Sequence, residues 1–319
     1  GSASAISKDD KLYTWSGANY KQGGNGPLYA RYNVKSASYN TVIALDNKAY
    51  KMMDFLVDTK DILIREDVEY YSGMNYIDVN GVLYYAKGLR KDIDGDIITE
   101  DVKKVIGSTG IIFLKNDNSA WILRNKNQTD YAYQDYPLTP TKISDDCIDV
   151  AMCVERVAFV KTDGTVWAFG KPYIRGSQNE TLFALQAIEP TQIADGDFVE
   201  VACGYNFFAA KKSDNSLWVW GANDKYQLGR EGEGTLLPEK ILDDVISFSC
   251  SGEIGLAVKA DGTLWAWGDS GVAYGLSEDE GRDKSNKAPR QLFAHKVKTE
   301  IKRNAAIYNM SSALAYEKP

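Results

Sequence analysis

The chain has 319 residues, 44% of them hydrophobic, 12% aromatic and 25% charged, which are globular proportions with ample material for a large core. Its net charge of −7 disfavours a nucleic-acid surface, because phosphate recognition leans on clustered Lys and Arg and here the basic residues are scattered among acids. The single histidine, His295, excludes multi-His metal sites and would have to serve any Ser-His or Cys-His chemistry. No apolar run reaches membrane-spanning length, and no signal peptide is visible. Gly1-Ser2-Ala3-Ser4 reads as an expression-tag scar, leaving 5–319 as a single domain.

In chain order, KDDKLYTWSG (8–17) reads as a turn followed by an aromatic strand carrying Trp15. ANYKQGGNGPLYARY (18–32) is a connector with Tyr20, Tyr29 and Tyr32. Three worn units follow: NVKSASYNTVIALDNKAYKM (33–52), DVEYYSG to YIDVNGVLYYAKG (67–88) and DVKKVIG to FLKNDNSAWIL (101–123). The pattern then sharpens. IDVAMC (148–153) precedes DGTVWAFG (163–170), FVEVACG (198–204) precedes DNSLWVWG (214–221), and DVISFSC (244–250) precedes DGTLWAWG (261–268). Each unit is an apolar strand, a second short apolar strand, an Asp-Gly or Asp-Asn turn, and an aromatic strand ending on Gly. Alternation, β-branched enrichment and these turns predict strands throughout, and helical periodicity is weak.

The turn aspartates at 163, 214 and 261 are 51 and 47 residues apart, a repeat period. Aligned on the last residue of the aromatic strand, the units end at Met52, Ala86, Leu123, Phe169, Trp220 and Trp267. The C-terminal IYNMSSALAYEKP resembles the first two strands of a unit, and the Trp15 segment supplies the missing aromatic strand. One unit is therefore expected to be closed by both ends of the chain, which removes the exposed sheet edge of an open array. Cys153, Cys203 and Cys250 align at one position, in VAMC, VACG and FSCS, and read as small buried hydrophobes.

Residues 220–241, WGANDKYQLGREGEGTLLPEKI, resemble the regulator of chromosome condensation repeat at Trp220, Gly221, Asn223, Gln227, Leu228, Gly229, Pro238 and Ile241. WGDSGVAYGL (267–276) and PTKI (140–143) are partial echoes, and the resemblance is clearest from 145 to 295. The family's Cys-Gly-x-x-His is altered here to Cys203-Gly204-Tyr205-Asn206-Phe207. The resemblance implies an all-β, seven-bladed β-propeller whose N- and C-terminal strands share one blade; counting the ends separately gives eight. The eukaryotic founder exchanges nucleotide on a small GTPase and binds chromatin, but its contact loops have no residue-by-residue match here. Bacterial relatives with short, degenerate blades include secreted inhibitors of enzymes such as β-lactamases, and polysaccharide-binding surface modules. They set the expectation of a bacterial, extracellular or cell-surface monomer.

The tryptophans occupy repeat positions and read as packing between blades. The connector RNKNQTDYAYQDYP (124–137) has exchanged the family's glycines for Tyr131, Tyr133 and Tyr136 among Asn127, Gln128 and Asp130. Flat rings interleaved with amides and carboxylates suit sugars, whose apolar faces stack and whose hydroxyls exchange hydrogen bonds. Tyrosine equally suits protein interfaces, and a surface loop packed on its own blade is the plain alternative. PYIRGSQNE (172–180) adds Tyr173, Arg175 and Asn179, and GYNFF (204–208) adds Tyr205.

The expected function is non-catalytic binding of a polysaccharide, an α-glucan such as starch first; the alternative is a protein-binding propeller acting as an enzyme inhibitor, adhesion or scaffold module. No cofactor or catalytic residue is expected. DIDGDIITED (92–101) starts like a calcium loop at Asp92, Asp94 and Asp96, but Lys103 and Lys104 stand where the closing Glu belongs, so an acidic hairpin tip is expected and no metal.

Overall fold

A computed structural model describes residues 2–7, 12–16, 28–31, 33–38, 41–51, 62–72, 75–85, 96–107, 110–124, 139–153, 156–170, 190–268, 290–292 and 301–308. Among these there is no helix, and the strands form seven four-stranded sheets. The first sheet contains β1 (Ser2–Ser7), β2 (Leu12–Ser16) and β3 (Leu28–Arg31). The second is β4 (Val34–Ser38), β5 (Thr41–Ala44), β6 (Ala49–Lys51) and β7 (Ile62–Arg65). The third is β8 (Val68–Ser72), β9 (Asn75–Asp78), β10 (Leu83–Tyr85) and β11 (Asp96–Thr99). The fourth is β12 (Val102–Gly107), β13 (Gly110–Lys115), β14 (Ala120–Arg124) and β15 (Thr141–Ser144). The fifth is β16 (Cys147–Cys153), β17 (Arg156–Lys161), β18 (Val166–Gly170) and β19 (Thr191–Ala194). The sixth is β20 (Phe198–Cys203), β21 (Phe207–Lys212), β22 (Leu217–Gly221) and β23 (Thr235–Leu242). The seventh is β24 (Val245–Ser251), β25 (Ile254–Lys259), β26 (Leu264–Gly268) and β27 (Arg290–Leu292). β28 (Ile301–Tyr308) returns to the first sheet and pairs antiparallel with β1.

Sheets two to seven are antiparallel meanders. Their first strands touch one another in succession, and β28 touches both β24 and β4, so the first strands form a closed ring. This is a β-propeller in which the chain ends share one sheet. The division of labour in that sheet differs from the expectation. The C-terminal part gives one described strand, β28, as the innermost, and the second strand is β1, from residues assigned to a tag scar. Ala3 opposes Trp15 in β2, as Phe208 opposes Trp220 in the sixth sheet and Gly255 opposes Trp267 in the seventh, so SASAIS stands in the register of a second strand.

The hairpin turns explain the repeat. Asn47, Gly81, Asn118, Gly164, Asn215 and Gly262 all have φ between 59° and 82°, the left-handed region that Gly and Asn enter most readily. Each stands five residues before Met52, Ala86, Leu123, Phe169, Trp220 or Trp267, the register read from sequence. The carbonyl of the left-handed residue accepts the first amide of the next sheet's inner strand. Val68, Val102, Cys147, Phe198 and Val245 donate to Asn47, Gly81, Asn118, Gly164 and Asn215 at 2.8–3.1 Å. In return, the residue before the inner strand accepts an amide from its own sheet's turn, as Asp101 does from Asn116 at 2.8 Å and Asp244 from Ala260 at 2.8 Å. Backbone groups that would otherwise be stranded at the sheet junctions are thereby paired. At Gly164 a Cβ would lie 2.6 Å from the Asp197 nitrogen, so the clamp leaves no room for a side chain there.

The two aromatic positions of each third strand do different work. The second, Trp220 or Trp267, is fully buried between sheets, with Phe169 and Leu123 as its equivalents. Gly255 makes this possible in the seventh sheet, since a Cβ there would come within 2.0 Å of the Trp267 ring. The first, at Trp121, Trp167, Trp218 and Trp265, is partly buried and tethered within its own hairpin: each indole N–H donates to the hydroxyl of Ser119, Thr165, Ser216 or Thr263 at 2.7–2.9 Å.

The cysteine alignment needs one correction. Met152, Cys203 and Cys250 are the equivalent residues, pairing with Val157, Phe208 and Gly255; Cys153 lies one further along. Cys203 and Cys250 are buried hydrophobes, as expected, and Cys147 fills the position of Phe198 and Val245. Burial pushes the Cys147 thiol up to about 11, so it is inert at neutral pH.

Candidate functional site

The two ends of the propeller differ in kind. One carries the tight hairpin turns and the clamps. At the other, β14, β18 and β22 end at Arg124, Gly170 and Gly221, opposite Gly110, Arg156 and Phe207. The long connectors therefore leave from the same end as the β20–β21 turn that holds Tyr205. Of the residues chosen from sequence, Asn127, Gln128, Asp130, Tyr131, Tyr133, Tyr136, Tyr173, Arg175 and Asn179 lie outside the described residues, as do Asp92 and Asp94. Asp96 begins the outer strand β11.

Tyr205 is described, and it is half-buried. Its ring packs against the core between the fifth and sixth sheets, and its amide donates to the Gly252 carbonyl of the seventh at 2.7 Å. Asn206 accepts from Arg156 of the fifth sheet at 2.8 Å. This turn thus ties three successive sheets together.

The connector between β22 and β23, residues 222–234, is described in full. Buried Asn223 donates from Nδ2 to the carbonyls of Arg230 and Gly232, both at 2.9 Å, and its Oδ1 accepts the Leu228 amide at 2.9 Å. Buried Gln227 accepts the Lys225 amide at 2.8 Å and donates to Asp224 at 3.0 Å and to Glu253 of the seventh sheet at 2.5 Å. Arg230 makes a fork to both oxygens of Glu239, at 2.5 and 3.1 Å, and caps the carbonyls of Glu231 and Glu233. The loop is held by its own amides and by its neighbour sheet.

Residues 198–227 match the regulator of chromosome condensation (RCC1) repeat. That stretch, from β20 into the 222–234 connector, resembles an RCC1 repeat set on a β-propeller frame. Among solved structures it is similar to Prp20p from Saccharomyces cerevisiae, described with its binding to Gsp1p and histones. That likeness has 17% identity and a TM-score of 0.53, covering 70% of this chain and 64% of that one. The chain therefore spans just under two thirds of that relative. Human WBSCR16 is similar at 15% identity over 90% of this chain and 95% of its own, with a TM-score of 0.58. The structure of Kap60 bound to yeast RCC1 (Prp20) contains a chain similar at 14% identity over 92% of this chain and 73% of that one, with a TM-score of 0.56. At these identities the likeness is one of fold. No curated protein matches the chain in sequence.

The residues that resemble the repeat are structural. Asn223 and Gln227 organise the connector, Leu228 is fully buried beneath it, and Gly229 takes a left-handed φ of 62°. What the loop displays lies between those letters. Asp224, Glu231 and Glu233 are exposed, and Leu236 and Leu237 at the start of β23 are 57% and 74% exposed. The pairing of β22 with β23 is irregular between Val219–Glu239 and Gly221–Thr235, which puts both leucines outside the regular ladder. Sequence reasoning quoted these leucines only as spacers in the repeat; the signal was two adjacent large apolar residues beside a Gly- and Glu-rich loop. It also passed over the shared heptapeptide Lys-x-Asp-Gly/Asn-Ser/Thr-x-Trp, present at 115–121, 161–167, 212–218 and 259–265.

Proposed function

We propose that the chain is a non-catalytic, protein-binding propeller whose contact surface lies at the connector end, in an inhibitory, adhesive or scaffolding role. One observation carries the reading. The 222–234 connector is fixed by buried amides, and just beyond it Leu236 and Leu237 at the start of β23 stand exposed beside its acidic residues. Apolar anchors within a polar surround are how protein interfaces concentrate binding energy, and a loop already rigid before binding loses little entropy when it docks. The similar folds support it, since Prp20p is described with Gsp1p and histones and yeast RCC1 with Kap60. A polysaccharide ligand draws no support from the described geometry: its connectors lie outside the described residues, and Tyr205 is engaged between sheets.

The test is affinity capture with immobilised wild type and Leu236→Ser/Leu237→Ser, read by quantitative mass spectrometry beside a glycan array. A protein retained by wild type should fall about tenfold with the variant, and the array should stay blank. Glycan signals together with equal protein capture by both forms would overturn the reading.

A further inference from the structure

The hairpin-turn end holds a cavity that the connector-end reading does not use. Among the described residues it measures about 470 Å³, between the third, fourth and fifth sheets at the mouth of the ring. That volume lies in the range of small-molecule sites. Val79 and Ile148 give it an apolar side, and Glu69, Asp78, Lys103, Lys104 and Asp149 bring charge to it.

Most of those charges are already matched. Glu69 is paired with Lys35 at 2.7 Å. Asp149 is paired with Lys104 and also accepts the Val201 amide at 2.9 Å. Asp78 is engaged with its own turn: Oδ1 accepts the amides of Asn80 and Val82 at 2.9 Å, and Oδ2 faces the Tyr84 hydroxyl at 3.4 Å. Lys103 is different. Its ammonium donates to Asn118 Oδ1 at 2.6 Å and has no ion-pair partner among the described residues. An ammonium has three donors, so two remain open. Burial lowers its pKa, with Asp117 and Asp149 raising it back in part. A bulge between Val102 and Lys104 sets Lys103 out of the ladder, as the same offset does for the second inner-strand residue of each of sheets two to seven. The bulge residues of the neighbouring sheets, Glu69 and Ile148, line the same cavity.

We propose that this mouth binds a small organic carboxylate. The carboxylate sits on Lys103 with the Asn116 side-chain amide as a second donor, and the apolar stem lies along Val79 and Ile148. The inference does not depend on the protein-binding reading, which concerns the opposite end.

Saturation-transfer NMR on the full chain tests it, with hexanoate, hexanol and hexylamine as probes. Hexanoate should show transfer well above the other two. Lys103→Gln should reduce the hexanoate signal about tenfold, as loss of a charge-assisted contact does. Asn116→Asp should reduce it similarly; Asn116 is an exposed turn residue, so this variant keeps the test open if Lys103→Gln fails to fold. Hexanoate transfer unchanged in a folded variant, or hexanol transfer equal to that of hexanoate, would overturn the proposal.

Discussion

The fourth to seventh sheets and the second and third build the same turn with different residues. In the later sheets an aspartate carboxylate (Asp117, Asp163, Asp214, Asp261) accepts both the amide and the hydroxyl of the Ser or Thr two residues on. That hydroxyl accepts the indole N–H, and the lysine four residues before it lies over the same ring, 4.7–5.7 Å from its centroid. The third sheet has no Ser or Thr at that place. Asp78, standing where the lysine would be, holds the turn amides itself and meets the hydroxyl of Tyr84, which occupies the tryptophan position. The second sheet keeps Asp46 but has Lys48 at the hydroxyl position and Tyr50 at the ring. What persists in both groups is the left-handed residue and its clamp to the next sheet. The repeat is a set of physical requirements that several residue sets meet.

The comparison breaks most sharply at buried positions. Trp220→Ala should cost about 3–5 kcal/mol in urea unfolding, the range for a fully buried aromatic. Trp220→Phe should cost under about 1.5 kcal/mol, because the Trp220 indole N–H has no partner among the described residues and Phe169 fills the same place one sheet earlier. Lys104→Ala leaves Asp149 buried without its cation and should cost about 3–5 kcal/mol. Lys142→Ala, which breaks the exposed pair with Asp145, should leave the unfolding midpoint nearly unchanged.

Smaller effects test the turns themselves. Gly164→Ala should destabilise by about 1–3 kcal/mol, since its φ of 78° and its contact with Asp197 both oppose a side chain. Asn215→Gly, at the equivalent place with an exposed side chain and a φ of 63°, should stay within about 0.5 kcal/mol. Ser216→Ala should cost about 1 kcal/mol through the Trp218 tether, whereas Lys48→Ala in the second sheet should leave the unfolding midpoint nearly unchanged.

Hydrogen bonds from Ser119, Thr165, Ser216 and Thr263 hold the four turn aspartates below the usual 3.8 in the folded state. A depressed folded pKa contributes stability that is full above the unfolded value and lost as pH falls through the folded one. Acid titration of unfolding should therefore show stability declining below about pH 4. Changing all four to Asn should flatten that decline, and an unchanged slope would remove these carboxylates from the account.

The strand pattern, the repeat register and closure by both chain ends were legible, because Asp-Gly and Asp-Asn turns and aromatic alternation report local geometry directly. The strand at Ser2–Ser7 was not, since SASAIS has no turn signal and its place as second strand is set by a partner about 300 residues away in β28. Cys153 was misaligned because β16 is one residue longer than β20, and counting from the strand end hides a one-residue offset. At the candidate site, Asn223 and Gln227 were legible as family letters. Their role as loop-holding amides was not, since it depends on how the connector folds back to bring the Arg230 and Gly232 carbonyls onto Asn223, and on the Glu253 carboxylate of the next sheet.

The most direct test of the shared clamp is native-state hydrogen exchange at Val68, Val102, Cys147, Phe198 and Val245. Comparable, strong protection is expected at all five amides, although the turns that accept them differ in sequence. Strong protection at Phe198 and Val245 with rapid exchange at Val68 and Val102 would contradict it, and would make the Asp–Ser/Thr–Trp relay the true source of order.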